Sequence, residues 1–174
     1  MSKLEEVILV DEKDQVIGYM EKIKAHKEAL LHRAFSIFIF NSKKELLLQQ
    51  RAEHKYHSGN LWTNTCCSHP RKGETVLDAA HRRLEEEMGM SCHLEKAYSF
   101  IYKSPFDNGL TEHELDHVLI GYTDDLPKIN LEEVRDFSYR SLNQIVGDIQ
   151  ENPHFYTSWF KITFPTLQEY LLLD

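Results

Sequence analysis

The branched and aromatic run AFSIFIF, Ala34–Phe40, predicts a buried strand. Asn41–Ser42 then marks a turn, and Leu46–Arg51 supplies the partner strand. Upstream, two short apolar runs, Val7–Val10 and Val16–Met20, predict strands around a polar turn. Between them and Ala34, KIKAHKEALLHR has helix formers and no breaker, which predicts a short helix. Further strands are predicted over NLWTNTCC, over Glu95–Tyr102 and over Glu114–Gly121, with EEVRDFSYRS as an edge strand. Ser141 is placed to N-cap a helix over Leu142–Gln150, and Phe155–Leu173 reads as a terminal helix containing Pro165.

The strongest helical pattern is Thr75–Met88, closed by Gly89. Leu77, Ala80, Leu84 and Met88 fall on one stripe at ~100° per residue. Arg83 and Glu87, four apart, flank that stripe together, while Glu86 points nearly opposite and Glu85 lies on the other flank. Of three consecutive glutamates, Glu87 is the one placed to reach a site beside the core. Arg82 and Glu86 fit a charged, solvated face. Strands, one helix, more strands and terminal helices together predict an α+β domain with a mixed sheet between helices.

The 174 residues suit a single domain, 1–174. Hydrophobic residues at 41% and charged residues at 28% give an ordinary globular balance. A net charge of −8 argues against non-specific nucleic-acid binding but leaves room for a local basic pocket. Acidic residues near the N-terminus stand where a signal peptide has its apolar run, and no apolar stretch approaches the ~20 residues needed to span a bilayer. A cytoplasmic chain with reduced thiols and no membrane partner is expected, which suits its three cysteines.

Candidate chemistry concentrates in three places. In CCSHP, alternation along an extended segment turns Cys67 and His69 one way and Cys66 and Ser68 the other. Either both cysteines are buried small hydrophobes, or Cys67 faces a site with His69 and Cys66 packs. In TEHELDHVL, Glu112, Glu114 and Asp116 share a strand face. Carboxylates so arranged repel one another unless a cation neutralises them, and imidazole with carboxylate suits a divalent metal. His26, His32 and His69 are further candidate ligands among ten histidines, and the chain must turn between His26 and His32 to bring them together. The third place is a scattered basic set, Lys22, Arg51, Lys55 and Arg83. It consists of surface ion pairs, or it converges on a polyanion such as a diphosphate.

Ser68–Met90 resembles the Nudix box: glycine, five residues, glutamate, seven residues, then R-E-U-x-E-E-x-G-U. Glu74, Arg82, Leu84, Glu86, Glu87, Gly89 and Met90 are in register. Ser68 replaces the opening glycine, and Arg83 replaces the glutamate important for hydrolysis in that superfamily. EK at Glu21–Lys22, LHRAFS, LLLQQRA, LWTNTCCSHP, GLTEHELDHVL and NPHFYTSWF, in order over nearly the whole chain, resemble the type 1 isopentenyl-diphosphate isomerase family.

That resemblance implies a Nudix-like α/β/α sandwich with a mixed sheet. It also implies an isomerase of isoprenoid biosynthesis that interconverts isopentenyl and dimethylallyl diphosphate by protonation and deprotonation through a tertiary carbocation. By the same resemblance Cys67, Glu114 and Tyr102 are catalytic and Trp159 is the C-terminal aromatic that stabilises the cation. His26, His32, His69, Glu112 and Glu114 are ligands of a divalent metal (Mn2+, Mg2+ or Zn2+). Glu87 helps hold Mg2+ on the diphosphate, and Lys22, Arg51, Lys55 and Arg83 bind the anion. Cations around the site are expected to lower the Cys67 pKa. The expected partner is a small isoprenoid diphosphate, with the chain a monomer or weak homodimer. The competing readings are a Nudix-type diphosphate hydrolase, opposed by Arg83, and a non-catalytic metal-binding module.

Overall fold

The computed structural model describes residues 4–173; the two ends of the expected domain 1–174 lie outside them. Strands β1 (Glu6–Val10) and β2 (Val16–Glu21) form an antiparallel hairpin. β3 (His32–Phe40) is the central strand. It runs parallel to β8 (Thr111–Tyr122) over nine register pairs, and β8 pairs antiparallel with β7 (Leu94–Pro105). β9 (Val134–Ser141) is an edge strand, antiparallel to β4 (Glu45–Arg51). Parallel and antiparallel pairs together make the sheet mixed.

β3 and β4 pair only at Phe40↔Leu46, beside their turn, and then diverge. The segment 62–68 fills the gap. Its first piece, β5 (Trp62–Thr63), pairs with β4, and its second, β6 (Cys66–Ser68), pairs with β3. One strand was expected across 60–67; Asn64 and Thr65 break it because their side chains take over the bonding. Thr65 Oγ1 accepts from Ile39 N and donates to Leu47 C=O, and Asn64 Nδ2 donates to Ile37 and Cys66 C=O. Those buried backbone groups would otherwise lack partners at the fork.

The alternation of β3 assigns its side chains to two cores. Phe35, Ile37 and Ile39 pack with Cys66, Ala79, Ala80, Leu84 and Met88, under helix α2 (Val76–Met88). Phe38 and Phe40 pack on the other face with Ile145, Phe160, Phe164 and Leu167, under helices α3 (Leu142–Glu151) and α4 (Ser158–Leu173). Helices on both faces of a mixed sheet give the α/β/α sandwich. Full burial of Leu84 and Met88 is worth ~1.5–3 kcal/mol each, more than the ~1 kcal/mol of the Thr75 cap, so packing decides where α2 sits. Leu77, expected on the buried stripe, is 42% exposed, and Ala79 is buried instead. Val76, Ala79 and Ala80 face the core at this end of the helix, which turns Leu77 outward.

Two helix boundaries differ from expectation. Helix α1 covers only Lys22–Lys27, because Ala29 takes a positive φ of 53° and the chain enters β3 at His32. At the C-terminus a 3-10 turn, Pro153–Phe155, precedes α4, which begins at Ser158. Tyr156 between them is extended and bridges to Trp62. Ser141 caps α3 in a capping box with Gln144, as its position promised.

Candidate active site

Along β8, residues 112, 114, 116, 118 and 120 share one face. Val118 and Ile120 end in the core, while Glu112, Glu114 and Asp116 are buried at the other end. The strand thus changes from core to site without changing face. Register places His32 of β3 and Tyr102 of β7 directly beside Glu114. His69 follows β6, and His26 comes from α1, which the turn at Ala29 folds back over the sheet end.

The metal-ligating types form two overlapping groups. Donor atoms of His26, His32, His69 and Glu114 lie within 4.8 Å of one another, and so do those of His26, His57 and Glu112. Glu114 Oε1 is 2.8 Å from His69 Nε2 and 3.3 Å from His32 Nε2. His26 Nδ1 is 2.7 Å from Lys22 C=O, and His32 Nδ1 is 2.8 Å from Leu30 C=O. A carbonyl only accepts, so each Nδ1 carries a proton, and in its neutral form each ring presents an Nε2 lone pair to the site. Both Nε2 atoms are buried without a hydrogen bond. Three imidazoles and a carboxylate, with two of the ring nitrogens unsatisfied, fit a divalent first-row cation.

The protonation states follow from burial and neighbours. Burial, with His69 and His32 beside it, pushes His26 down to about 3, so it stays neutral. Burial opposes a charge on His32, but the Glu114 carboxylate outweighs it and raises the pKa. For Glu114 burial again opposes charge, and His69 and His32 overcome it, holding the carboxyl well below its ordinary value. Tyr102 Oη donates to Glu114 Oε2 at 2.7 Å and makes a second, shorter contact with Glu112 Oε2. One phenolic proton cannot bond two carboxylates at once, so the pair needs another proton or a cation. Burial and those carboxylates raise the Tyr102 pKa well above its usual value.

A pocket of about 120 Å³ opens beside this cluster. Cys67, Tyr102, Glu114 and Trp159 line it, as do Lys22, Arg51, Lys55, Arg83 and Glu87. Cys67 faces the pocket, and Cys66 is buried under α2. Ser68 lines the pocket too, because β6 ends there and strict alternation lapses. Burial pushes the Cys67 thiol up; Arg51 opposes that, while Glu87, Glu112 and Asp116 add to it. The expected lowering is therefore not met: one guanidinium does not overcome burial and three carboxylates. Cys66 is not merely packed either. Its Sγ donates to Glu87 Oε2 at 3.4 Å, beside Gln49 Nε2 at 2.9 Å.

Each of the four cations already has company. Lys22 pairs with Glu5 at 2.5 Å, and Lys55 pairs with Glu133. Arg83 reaches Glu87 at 2.5 Å, Glu86 at 2.6 Å and Glu133 at 3.3 Å. The Arg51 guanidinium lies 5.2 Å from the Trp159 ring centroid and donates to His57 C=O. The indole N–H of Trp159 donates to Asn64 Oδ1 at 3.2 Å. Arg82, read as solvated, instead grips Glu74 with two bonds of 2.7 and 2.9 Å and ties the loop to α2.

Sequence reasoning missed His57, Glu133, Glu5 and Gln49 as neighbours of the site. His57 and Glu133 lie in connections without periodicity, so no pattern marked them. Asp116 did carry a signal, its shared face with Glu112 and Glu114. It is 1% exposed and accepts from Ser36 Oγ at 2.7 Å, and burial and Glu114 push its pKa well above the usual carboxylate value.

A splayed mixed sheet between helices, with Glu74–Arg82 and Glu87 on one loop-helix, defines a Nudix-fold protein. The NUDIX domain family model matches residues 30–160. Among solved structures, the DR0079 protein of Deinococcus radiodurans is 21% identical with a TM-score of 0.71, covering 85% of this chain and 90% of its own. The MutT protein of Methanosarcina mazei Go1 is 19% identical with a TM-score of 0.67, covering 80% and 94%. The relatives by sequence narrow this. An isopentenyl-diphosphate Delta-isomerase of Pectobacterium atrosepticum is 53% identical over 96% of this chain and 93% of its own length. Isopentenyl-diphosphate Delta-isomerase 2 of Photorhabdus laumondii subsp. laumondii is 52% identical over 89% and 88%. The chain belongs to the isopentenyl-diphosphate Delta-isomerase family within the Nudix fold.

Proposed function

We propose that the chain, as one domain, isomerises isopentenyl diphosphate to dimethylallyl diphosphate. The observation that carries this reading is the meeting of Cys67, Glu114 and Trp159 in one pocket with four cationic side chains. Arg83 at the Nudix glutamate position argues against hydrolysis. A cation that grips phosphate cannot accept the proton of an attacking water.

Lys22, Arg51, Lys55 and Arg83 would anchor the diphosphate, which requires Glu5 and Glu133 to yield their partners to it. Glu87 would hold Mg2+ on the diphosphate. His26, His32, His69, Glu112 and Glu114 would hold a second divalent ion, Mn2+, Mg2+ or Zn2+. When bound, the cations neutralise phosphate charge and make the protonated form of Glu114 a stronger acid.

Cys67 and Glu114 carry the proton traffic. At rest the thiol keeps its proton and Glu114 is ionised, so the pair holds one proton between them. One of them protonates the terminal methylene carbon of the alkene, which leaves a tertiary carbocation. The other removes a proton from the CH2 on the far side, and the new double bond forms there. Tyr102, bonded to Glu114, would supply or take up the proton that resets the pair. The Trp159 face would stabilise the cation by ~2 kcal/mol or more in a desolvated pocket. No bond to phosphorus breaks.

The test is incubation with isopentenyl diphosphate and Mg2+. An acid-labile allylic diphosphate without released phosphate is expected. Inorganic phosphate or diphosphate would assign the pocket to hydrolysis, and no turnover would leave it a metal-binding module.

A further inference from the structure

Three of the four cations on the pocket are held by two carboxylates that have no part in the proton transfer. Lys55 Nζ pairs with Glu133 Oε2, Arg83 Nη2 stands 3.3 Å from Glu133 Oε1, and Lys22 Nζ is 2.5 Å from Glu5 Oε2. Glu133 thus bridges one cation from the connection after β4 and one from α2. Among the described residues Arg51 pairs with no carboxylate; it meets the Trp159 ring and the His57 carbonyl instead. Glu5 and Glu133 line the pocket themselves. Burial opposes their charge, but Lys22 beside Glu5 and Lys55 beside Glu133 overcome it and hold both carboxyls below their usual value.

Each carboxylate can leave its cation by a turn of the side chain alone. Glu133 N donates to Asn130 C=O at 2.9 Å, and Glu133 C=O accepts from Ala52 N at 3.1 Å, so its backbone is fixed. Glu5 C=O likewise accepts from Lys22 N at 2.8 Å. Glu5 and Arg83 also line a second cavity of about 660 Å³, where Arg71 and Lys72 offer Glu5 other partners. Isomerisation leaves the diphosphate unchanged, so substrate and product present the same anion to the same cations. A grip equal for both lowers KM without raising kcat, and nothing in the chemical step loosens it. On the reading that these four cations anchor the diphosphate, we propose that Glu5 and Glu133 are displaceable counter-anions. They leave Lys22, Lys55 and Arg83 as isopentenyl diphosphate enters and return as the product goes, which sets how firmly the diphosphate is held. A tethered carboxylate competes at an effective concentration on the order of millimolar. A diphosphate outcompetes it through its higher charge, its Mg2+ and its contact with Arg51.

The test is calorimetric binding of inorganic diphosphate with Mg2+ to the full chain, with steady-state isomerase kinetics beside it. Glu133→Gln keeps the shape and removes the charge. It should bind diphosphate at least about threefold more tightly, with a lower KM for isopentenyl diphosphate and no gain in kcat. Glu5→Gln should move binding in the same direction, and the double variant should bind more tightly than either. A side chain that merely supported the fold, or that held Lys55, Arg83 or Mg2+ in place, would weaken binding when changed. Unchanged or weaker binding in either variant, or a raised KM, therefore overturns the proposal. If Glu133→Gln does not fold, Glu5→Gln decides by the same outcomes. A wild-type chain that binds no inorganic diphosphate would sink the anchor reading and this proposal together. A wild type that binds it, with variants that bind no better, would sink the proposal alone.

Discussion

Cys66 and Cys67 are adjacent in sequence and face opposite sides of the sheet. Cys67→Ala is expected to abolish isomerisation. General acid–base groups contribute ~10²–10⁴-fold, and no other thiol lines the pocket among the described residues. Cys66→Ala should keep most turnover and lose about 1 kcal/mol of packing, read as a lower melting temperature. It should also raise the Mg2+ concentration needed for half activity, because Glu87 loses the S–H bond that helps hold Oε2. A folded but inactive Cys66→Ala enzyme would reverse the assignment. Glu87 and Glu86 make a second such pair. Glu87 is 4% exposed and lines the pocket, whereas Glu86 sits on the outer face of α2 with Arg82 and Arg83. Glu87→Gln should shift the Mg2+ titration upward and Glu86→Gln should leave it in place; coincident titrations would contradict the facing of α2.

At the scale of elements, α2 owes its end to Gly89. That residue sits at φ 59°, and a Cβ there would lie 2.6 Å from the Lys128 carbonyl oxygen. Gly89→Ala should cost roughly 1–3 kcal/mol in thermal or urea unfolding, combining left-handed strain with a clash on backbone. An unchanged unfolding midpoint would contradict the close approach. This helix was legible in the sequence because periodicity, cap and stop agree over Thr75–Gly89. So were β3 and β8, whose apolar and β-branched runs are buried on both faces. The fork at 62–68 was not, because Asn64 and Thr65 act there through side-chain bonds to backbone that no periodicity encodes. The end of α1 at Lys27 was hidden for a related reason: KEALL is good helix sequence, and the turn at Ala29 is imposed by the need to start β3 at His32. Within the site, parity along β6 and β8 exposed Cys67, His69, Glu112 and Glu114. It could not expose His57 or Glu133, which come from connections, nor the carboxylates that already occupy Lys22, Lys55 and Arg83.

At the scale of the whole molecule, the site ties the two halves of the splayed sheet together. His32, Tyr102 and Glu114 come from β3, β7 and β8, and Arg51 comes from β4. A cation held between buried imidazoles binds the folded chain and not the unfolded one. At a hundredfold excess over its dissociation constant it adds ~2.7 kcal/mol of stability, which for a chain of this size raises the melting temperature by roughly 5–10 °C. Chelation should reverse that shift, and a melting temperature insensitive to both treatments would contradict the metal reading. Among the described residues no helix is long and apolar enough to cross a membrane. The central claim is that a pair of groups on this pocket moves protons and leaves the diphosphate whole. Isomerisation of isopentenyl diphosphate in D2O, followed by proton and phosphorus NMR, tests it most directly. The account expects deuterium in the newly formed methyl group of dimethylallyl diphosphate, with both phosphorus signals retained as a diphosphate ester. Released inorganic phosphate, or an isomer that carries no deuterium, would contradict it.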